Sequence, residues 1–315
     1  MDDGVVLRVE GLTKDYPNGI RAVDSLDLEL KRGEVFGILG PNGSGKTTTI
    51  LMLLGLTEPT EGQVDILGLD PLRSPLEVKK RVAYMPDTVG FYEEMSGYEN
   101  LDYTARFLGL EAEERKRRIE ESMEKMGLRE RMHHKVQTYS HGMRRRLGLA
   151  EVICKKPEIA ILDEPTQGLD PESAAEFLEL IEELKREERI SILLSSHMLD
   201  QVQTVCDRVG LFSKGKLLIS GTVAELSSRI MGGKYAVILK ADGREIKNRL
   251  EKIEGVSRVE EREDSYFHIE SEEDVRPTIV EEIIAGGGRI YELSIQRHSL
   301  DTIYRAYFKE VAHAA

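Results

Sequence analysis

Cysteine is scarce in this chain of 315 residues, and long apolar runs are lacking. The two cysteines, Cys154 and Cys206, are far apart and have no metal-like spacing, which excludes a disulfide framework and favours a reducing compartment. The longest apolar runs, such as residues 190–194, are far shorter than the roughly 20 residues of a membrane-spanning helix. The acidic start, residues 1–4, has neither the basic nor the apolar region of a signal peptide. We therefore expect a cytoplasmic protein that reaches a membrane only through a partner.

Positive charge is also in deficit. The chain has 44 Lys and Arg residues against 57 Asp and Glu residues, a formal net charge of −13. An acidic chain repels phosphate backbones, so we expect no nucleic-acid partner, and the main consequence of this charge is solubility. With 40% hydrophobic and 32% charged residues, the composition is that of a globular protein. The length suits one large domain and a smaller one.

In the first 220 residues, nearly continuous apolar runs alternate along the chain with segments of helical pattern. Such runs are typical of strands buried on both faces of a parallel sheet, and the alternation with helices predicts an α/β core. Between about residues 95 and 155 the stretches 101–108, 111–126 and 144–154 have helical patterns, which predicts a helical subdomain inserted in that core. The predicted strands are 5–9, 35–39, 159–162 and 190–195, and the predicted core helices are about 47–55, 172–187 and 198–206.

The C-terminal third has a different order of elements. A hairpin at 213–221 and a helix at 222–230 precede a predicted linker at 231–233. The order strand, helix, strand, strand, helix, strand then follows, which is the ferredoxin-like α+β arrangement. We predict a first domain at 1–230 and a small second domain at 234–315. The elements of the second domain are predicted at 234–241, 244–253, 256–260, 266–269, 275–285 and 290–295, followed by a helix at 300–311.

A phosphate-binding loop is predicted at residues 40–47. Their sequence, GPNGSGKT, fits the pattern G-x-x-x-x-G-K-[ST] between a predicted strand and a predicted helix. Glycines let backbone N–H groups curl around phosphate oxygens, and the helix N-terminus adds positive partial charge. In this arrangement Lys46 reaches the β- and γ-phosphates of a nucleotide, and the Thr47 hydroxyl can bind Mg²⁺.

Two carboxylates follow the predicted strand at 159–162. Asp163 and Glu164 would lie at the carboxyl edge of the sheet, where ligands of α/β folds bind. We expect Asp163 to hold Mg²⁺ through water and Glu164 to orient or deprotonate an attacking water. His197 follows the next strand and is either a γ-phosphate and water ligand or an ordinary surface histidine. The company of Glu164 favours the first role.

Residues 139–143, YSHGM, resemble the LSGGQ signature of ABC ATPases, and residues 165–171, PTQGLDP, resemble the D-loop region of that family. The order of phosphate loop, signature, carboxylate strand, D-loop and histidine is that of the family, and the resemblance covers about residues 5–220. It implies a P-loop NTPase fold with a β-rich edge and a helical subdomain. It also implies an ATPase subunit that uses Mg²⁺ and drives a separate integral membrane permease from the inner face of the cell membrane.

The resemblance assigns further residues to the site. Ser140 and Gly142 match signature positions that contact the γ-phosphate of the ATP held by a second subunit, and Asp170 matches the D-loop aspartate that crosses the dimer interface. The resemblance therefore implies a head-to-tail homodimer with two composite sites. Tyr16 matches the aromatic residue that stacks on adenine, although without the resemblance it would be read as a half-buried strand or turn residue. The expected ATP-binding residues are Tyr16, Asn42, Gly43, Ser44, Gly45, Lys46, Thr47, Thr48, Asp87, Ser140, His141, Gly142 and Asp170; the expected metal-binding residues are Thr47, Asp87 and Asp163.

Two positions depart from the pattern of the family. Asp87 stands where the Q-loop usually has Gln or Glu; its carboxylate can bind Mg²⁺ but cannot donate a hydrogen bond. His141 stands where a small residue is common. It could donate to the γ-phosphate in a pH-dependent way or point away from it, and the sequence leaves both open.

The segment at 88–100 meets the membrane subunit in the family. Phe91, Tyr92 and Met95 could form an apolar contact with that subunit or pack on the helical subdomain. The signature pattern resembles that of ABC-2 type exporters, and residues 84–101 and 136–171 are similar to the ATPase associated with copper-site assembly of nitrous oxide reductase. The C-terminal extension resembles that of drug- and ion-exporting members, where it could regulate, dimerise or simply stabilise.

Two other functions are known for chains with such motifs or would fit part of the pattern. The first is a soluble ABC ATPase acting in translation or DNA repair, but such proteins usually carry two cassettes or a long coiled-coil insertion. The second is an ATP-gated binding module that does not hydrolyse, but such a module would be expected to lack Glu164 or His197. The sequence therefore favours a transport ATPase, whereas its cargo, the direction of transport and the permease are left open.

Overall fold

The computed structural model describes residues 4–199, 203–230, 235–295, 300, 302–305 and 307. The chain divides into two compact units, Met1–Thr222 and Val223–Ala315. The second unit includes the helix at 223–230, which the sequence analysis placed in the first domain. The domain limits of 1–230 and 234–315 remain a prediction.

Among its described residues, the first unit has nine strands and six α-helices. The strands are β1 (Val5–Asp15), β2 (Arg21–Lys31), β3 (Val35–Leu39), β4 (Glu61–Ile66), β5 (Val82–Met85), β6 (Ile159–Asp163), β7 (Ser191–Ser196), β8 (Arg208–Ser213) and β9 (Lys216–Gly221). The helices are α1 (Lys46–Leu53), α2 (Pro75–Arg81), α3 (Gly97–Arg106), α4 (Ala112–Lys125), α5 (His141–Lys155) and α6 (Pro171–Glu188).

A six-stranded sheet forms the centre of the first unit, with the order β5-β6-β7-β3-β8-β9. Neighbouring strands are parallel except β9, which is antiparallel to β8. Every residue of β3, β6 and β7 is buried, as their continuous apolar runs predicted. The carboxyl ends of these three strands meet at one edge of the sheet, and the candidate site residues follow them directly.

A second, antiparallel sheet with the order β2-β1-β4 forms the predicted β-rich edge. In β2, buried and exposed residues alternate from Leu26 to Lys31, so one face of this sheet is apolar and the other polar. The apolar face shares one core with the central sheet and α1, because Leu7 and Leu30 lie in the same buried cluster as Phe36 and Ile50. This shared core fixes the loop between β3 and α1 against the antiparallel sheet.

The helical subdomain predicted at about 95–155 consists of α3, α4 and α5. A capping box starts α3: the Ser96 side chain accepts from the Glu99 N–H, and the Glu99 carboxylate accepts from the Ser96 N–H. Buried Asn100 accepts from the Tyr92 N–H at 2.8 Å and donates to the Tyr92 carbonyl at 3.1 Å. These bonds hold the segment that leads from β5 into the subdomain.

The second unit confirms the predicted ferredoxin-like arrangement. Its elements are α7 (Val223–Ile230), β10 (Tyr235–Asp242), α8 (Ile246–Leu250), β11 (Val256–Arg262), β12 (Tyr266–Ser271), α9 (Arg276–Ala285) and β13 (Arg289–Ile295). The strands form an antiparallel sheet with the order β11-β12-β10-β13. Val237, Leu239 and Phe267 from the sheet and Ile279 and Ile283 from α9 form its core. Of the helix predicted at 300–311, residues 300, 302–305 and 307 are helical and the others lie outside the described residues.

One predicted helix is wrong in its second half. Residues 203–205, within the helix predicted at 198–206, form a turn, whereas 200–202 lie outside the described residues. The Asp207 carboxylate accepts a hydrogen bond from the Val35 N–H at 2.8 Å, and the Asp207 N–H donates to the Val35 carbonyl at 2.9 Å. These contacts draw the chain into β8 and end any helix before it. The sequence analysis also missed β2, β4, β5 and α2. The hairpin predicted at 213–221 begins too late, because its first strand, β8, spans Arg208–Ser213.

No helix in the described part of the chain is both long enough and apolar enough to cross a membrane.

Candidate functional site

The loop between β3 and α1 has a backbone that requires glycine. Gly43 and Gly45 have φ angles of +76° and +107°, in the left-handed region that other residues avoid. A Cβ on Gly45 would lie 2.4 Å from the Ala22 carbonyl oxygen, and one on Gly40 would lie 2.4 Å from that of Phe212. At Gly40 and Gly45 the loop thus lies too close to two strands to carry a side chain, and glycine at these positions allows the tight backbone curve of a phosphate-binding loop.

The environment of this loop fits an anion. Among the described residues, no side chain caps the N-terminus of α1. Ser44 Oγ is buried and has no hydrogen-bond partner there. Lys46 is only 5% exposed, and its Nζ donates to the carbonyl oxygens of Gly40 at 2.8 Å and Pro41 at 3.3 Å. A buried ammonium beside an unused hydroxyl at a helix N-terminus is suited to phosphate oxygens. Asn42 and Thr47 are exposed and Thr48 is half-buried.

Asp163 lies at the end of β6, opposite Ser195 of β7. Its carboxylate accepts hydrogen bonds from the hydroxyls of Ser195 and Thr47. Burial raises the pKa of Asp163, and these two hydrogen bonds oppose the rise. A buried carboxylate next to the Thr47 hydroxyl supplies the oxygen ligands that Mg²⁺ prefers. The two side chains therefore have the chemistry of a magnesium site, and the metal role expected for them stays a prediction.

Glu164 connects the phosphate loop to His197. Its backbone has φ +48°, and its N–H donates to the Ser195 side chain at 3.0 Å and to the Ser195 carbonyl at 3.2 Å. One carboxylate oxygen, Oε2, lies 2.8 Å from His197 Nδ1; the other, Oε1, lies 3.2 Å from Lys46 Nζ. His197 Nδ1 therefore lies within hydrogen-bond distance of the Glu164 carboxylate.

Asp87 lies two residues beyond β5 and acts on the same carboxylate cluster. Burial is the main cause that raises the pKa of Asp163, and the negative charge of Asp87 adds a smaller rise. Burial, followed by the charges of Asp163 and Asp87, raises the pKa of Tyr84 to about 12. Asp87 is partly exposed, and its Oδ1 accepts from Arg145 Nη2 at 3.4 Å. The structure thus brings Asp87 within electrostatic range of the predicted magnesium ligands while an arginine holds its carboxylate.

The signature residues lie beside the D-loop region of the same chain. Ser140 caps α5 by accepting from the Met143 N–H at 3.2 Å. His141 Nε2 lies 3.1 Å from the Gln167 carbonyl oxygen, and a Cβ on Gly142 would lie 3.9 Å from a methyl group of Leu169. Within the single chain His141 thus lies against the D-loop region, and whether it points toward or away from a γ-phosphate stays a prediction.

Asp170 lies in the D-loop region and caps the N-terminus of α6. Its side chain accepts from the Ser173 N–H at 3.0 Å and from the Ser173 hydroxyl at 2.6 Å. Asp170, Ser140 and His141 are all exposed. These residues thus form a polar surface built from the start of α5 and the start of α6.

Tyr16 lies at the end of β1, where its N–H donates to the Ile20 carbonyl at 2.9 Å. Its ring is half-buried, and the Lys14 ammonium lies 5.4 Å from the ring centre. An aromatic ring with a cation over it is an electron-rich surface that can also stack on a planar base. Both readings of Tyr16 from the sequence are compatible with this position.

Sequence reasoning missed Arg145 and Ser195. Ser195 contacts both Asp163 and Glu164, but a serine at the end of a strand gives no signal by itself. Arg145 is only 4% exposed although it is the middle residue of three consecutive arginines. Helical periodicity could have found it, because Arg145 shares a helix face with buried Leu149 and Val152.

The family described as "ABC transporter" matches residues 23–167 of this chain. That range includes the phosphate loop, Asp163, Glu164 and the signature residues.

Curated relatives cover two thirds of the chain. The bacitracin transport ATP-binding protein BcrA of Bacillus licheniformis is 40% identical over 213 residues, which are 68% of this chain and 68% of the relative. The ABC transporter ATP-binding protein NatA of Bacillus subtilis (strain 168) is 39% identical over 214 residues, 68% of this chain and 87% of the relative.

A solved structure agrees with the fold. The chain is similar to cbiO1 from Clostridium perfringens, described as part of the ABC transporter complex cbiONQ, with a TM-score of 0.66 and 27% identity. The match covers 73% of this chain and 94% of that one.

Proposed function

The chain belongs to the ABC transporter family, and from that premise we propose that it is the ATPase subunit of an ABC-2 type exporter whose permease is a separate chain. The family establishes ATP binding and ATP hydrolysis. The observation that supports the proposed catalytic residues is the chain of contacts from Lys46 through Glu164 to His197, next to Asp163 at one sheet edge. Phosphate-binding, metal-binding and water-activating groups thus lie together.

Each group in this cluster has a separate task in hydrolysis. Glu164 orients the attacking water and accepts its proton, and His197 holds the Glu164 carboxylate through Nδ1. Lys46 moves from the Glu164 carboxylate to the phosphate oxygens and stabilises their charge. Thr47, Asp163 and Asp87 would hold Mg²⁺, which when bound neutralises phosphate charge. Ser195 keeps Asp163 and Glu164 at their places on the sheet edge.

The remaining nucleotide contacts are proposed to come from a second copy of the chain. Ser140, His141, Gly142 and Asp170 belong to the polar surface at the starts of α5 and α6. Their contacts within the chain keep the signature and the D-loop region together as one surface. ATP between this surface and the phosphate loop of the other copy would close the homodimer, and hydrolysis would open it.

An exposed aromatic row on the helical subdomain supports a protein partner. Tyr92, Tyr103 and Phe107 are 54%, 42% and 78% exposed. Their rings stack edge to face, with centroids 5.2 Å and 5.6 Å apart. Exposed apolar groups of this kind mark interaction sites, so we propose this row as the contact with the permease on the inner face of the membrane. Of the predicted apolar residues, Tyr92 is in the row, whereas Phe91 and Met95 are half-buried.

Co-purification from native membranes tests the proposal. The tagged chain is extracted with and without ATP, and its ATPase activity is measured with whatever protein accompanies it. A multi-span membrane protein that stimulates turnover supports the exporter proposal. Association with ribosomes or DNA instead would support a soluble ABC ATPase in translation or DNA repair and would overturn the transport role, while leaving the ATPase chemistry in place.

The matched control for the contact surface changes Tyr103→Ala and Phe107→Ala together, and compares them with exposed Tyr291→Ala in the second unit. The Tyr103→Ala, Phe107→Ala double variant should weaken recovery of the permease and leave basal ATP turnover unchanged. The Tyr291→Ala control should leave both recovery of the permease and basal turnover unchanged.

A further inference from the structure

We propose that Arg145 is a positioning residue that couples the Asp87 segment to residues 167–170 of the D-loop region. This inference rests on the roles proposed above for Asp87 and Asp170. It adds a residue to which the family motifs give no part in the reaction.

The Arg145 guanidinium joins two segments that are far apart in sequence. Its Nη1 donates to the Pro86 carbonyl at 3.4 Å. Its Nη2 donates to Asp87 Oδ1 at 3.4 Å and to the Gln167 carbonyl at 3.2 Å. A planar guanidinium offers several donors at fixed angles, so one side chain can hold both segments in one geometry.

Close packing of α5 brings Arg145 to this place. Gly148 lies one turn further along the helix, and a Cβ there would be 3.2 Å from Val89 Cγ2 and 3.4 Å from Met85 Cε. The backbone of α5 therefore runs directly over the end of β5. From that position the Arg145 side chain reaches the Pro86 carbonyl, which follows the strand.

The energetics favour a positioning role over a purely stabilising one. The Arg145 side chain is 5% exposed, and its Nε is buried with no hydrogen-bond partner among the described residues. Burying a cation with an unused donor is costly, and well-packed apolar residues often stabilise such a place as well or better. The bonds that Arg145 does make, at 3.2–3.4 Å, are long for hydrogen bonds, so they offset little of that cost.

A second donor from α5 reaches the same acceptor. His141 Nε2 lies 3.1 Å from the Gln167 carbonyl oxygen, on which Arg145 also donates. Two side chains of α5, His141 and Arg145, thus contact the D-loop region at the Gln167 carbonyl. Of these two, Arg145 also contacts the Asp87 segment. A displacement of the Asp87 segment is transmitted through Arg145 to Gln167, and from there along the D-loop region to Asp170.

The test compares Arg145→Lys and Arg145→Met with Arg146→Lys in the full-length chain. Arg146 is the adjacent arginine on α5, pairs with exposed Glu176 and serves as the matched control. Melting temperature and nucleotide affinity in EDTA verify that each variant is folded with an intact phosphate loop. We expect both Arg145 variants to bind nucleotide in EDTA like the parent.

The kcat of both Arg145 variants should fall about tenfold, within the range for residues that share one hydrogen-bond network. The Mg²⁺ concentration for half-maximal activity should rise. Arg146→Lys should change none of these.

A double-mutant cycle with Asp87→Asn separates coupling from general disruption. If Arg145 positions Asp87, then Asp87→Asn should alter the Mg²⁺ dependence of the parent but add little to Arg145→Met. In the Glu164→Gln background, Arg145→Met should also reduce the fraction of ATP-trapped dimer. If Asp87→Asn has its full, additive effect in the Arg145→Met background, the coupling role of Arg145 is wrong, whereas the proposed role of Asp87 still stands. The same conclusion follows if the Arg145 variants behave like Arg146→Lys. If Asp87→Asn has no effect in the parent, the proposed role of Asp87 fails and this inference fails with it.

Discussion

Replacing Glu164 with Gln should nearly abolish hydrolysis while preserving nucleotide binding. Gln has the same shape and can still accept from His197 Nδ1, which lies 2.8 Å from Glu164 Oε2. It cannot accept a proton from water, and it removes the negative charge 3.2 Å from Lys46 Nζ. The substitution therefore separates the proposed base from the binding of the phosphates.

Two magnitudes follow from these contacts. Loss of a positioned base lowers turnover by about 10²–10⁴-fold, equivalent to about 2.7–5.4 kcal/mol of transition-state stabilisation. The nucleotide-free variant also loses a charged partner of buried Lys46, which costs about 1.5–3 kcal/mol of unfolding free energy. Lys46 keeps its bonds to the carbonyls of Gly40 and Pro41, so the variant should still fold.

Three measurements test this prediction together. Single-turnover hydrolysis gives the chemical step, sedimentation with ATP gives the dimer fraction, and thermal melting gives stability. The variant should hydrolyse slowly, accumulate as an ATP-bound dimer and melt lower without nucleotide but not with it. Glu176→Gln, an exposed carboxyl on α6, serves as the control and should resemble the parent. Parental turnover by the Glu164 variant would refute the assignment of the base.

Three further changes have defined outcomes. His197→Ala should lower kcat by about 10- to 100-fold, less than the loss of Glu164, because it removes orientation of the base but not the base; steady-state kinetics would show whether the two losses are equal instead. Gly45→Ala forces a Cβ to within 2.4 Å of a carbonyl oxygen at φ +107°, so nucleotide affinity and melting temperature should both fall, and unchanged affinity would contradict the geometry. Burial raises the pKa of Cys154 from 9.0 to about 11, which leaves about 100-fold less thiolate near neutral pH, so native protein should react with iodoacetamide at least that much more slowly than unfolded protein.

The central strands and their carboxylates could be predicted because their signals are local. Continuous apolar runs identify β3, β6 and β7, and polar motif residues stand at or just after the end of each strand: the glycine-rich loop after β3, Asp163 and Glu164 at the end of β6, and His197 after β7. By contrast, β4 contains only two buried residues, Val64 and Ile66, so its short apolar pattern is weak. The alternating pattern of β2 was readable but was overlooked. The wrong helix at 198–206 shows the opposite case, in which the contacts of Asp207 with β3 override a local helical pattern.

Within the candidate site, motif residues could be predicted but their supporting residues could not. Lys46, Glu164 and His197 stand in recognisable patterns, whereas Ser195 and Arg145 act only through residues that folding brings to them. Arg145 meets acceptors at Pro86 and Gln167, on either side of it in sequence, and no local pattern contains that information. The direction of His141 was open for the same reason.

The order of strands in the central sheet has a consequence for synthesis on the ribosome. Val35 of β3 pairs with Ile192 of β7, and Phe36 of β3 pairs with Arg208 of β8. A growing chain therefore carries an apolar strand with both edges unpaired until those distant segments emerge, and such exposure slows folding and promotes aggregation. Damage to the segment at 208–213 would thus reduce the yield of folded protein, although that segment carries none of the proposed site residues.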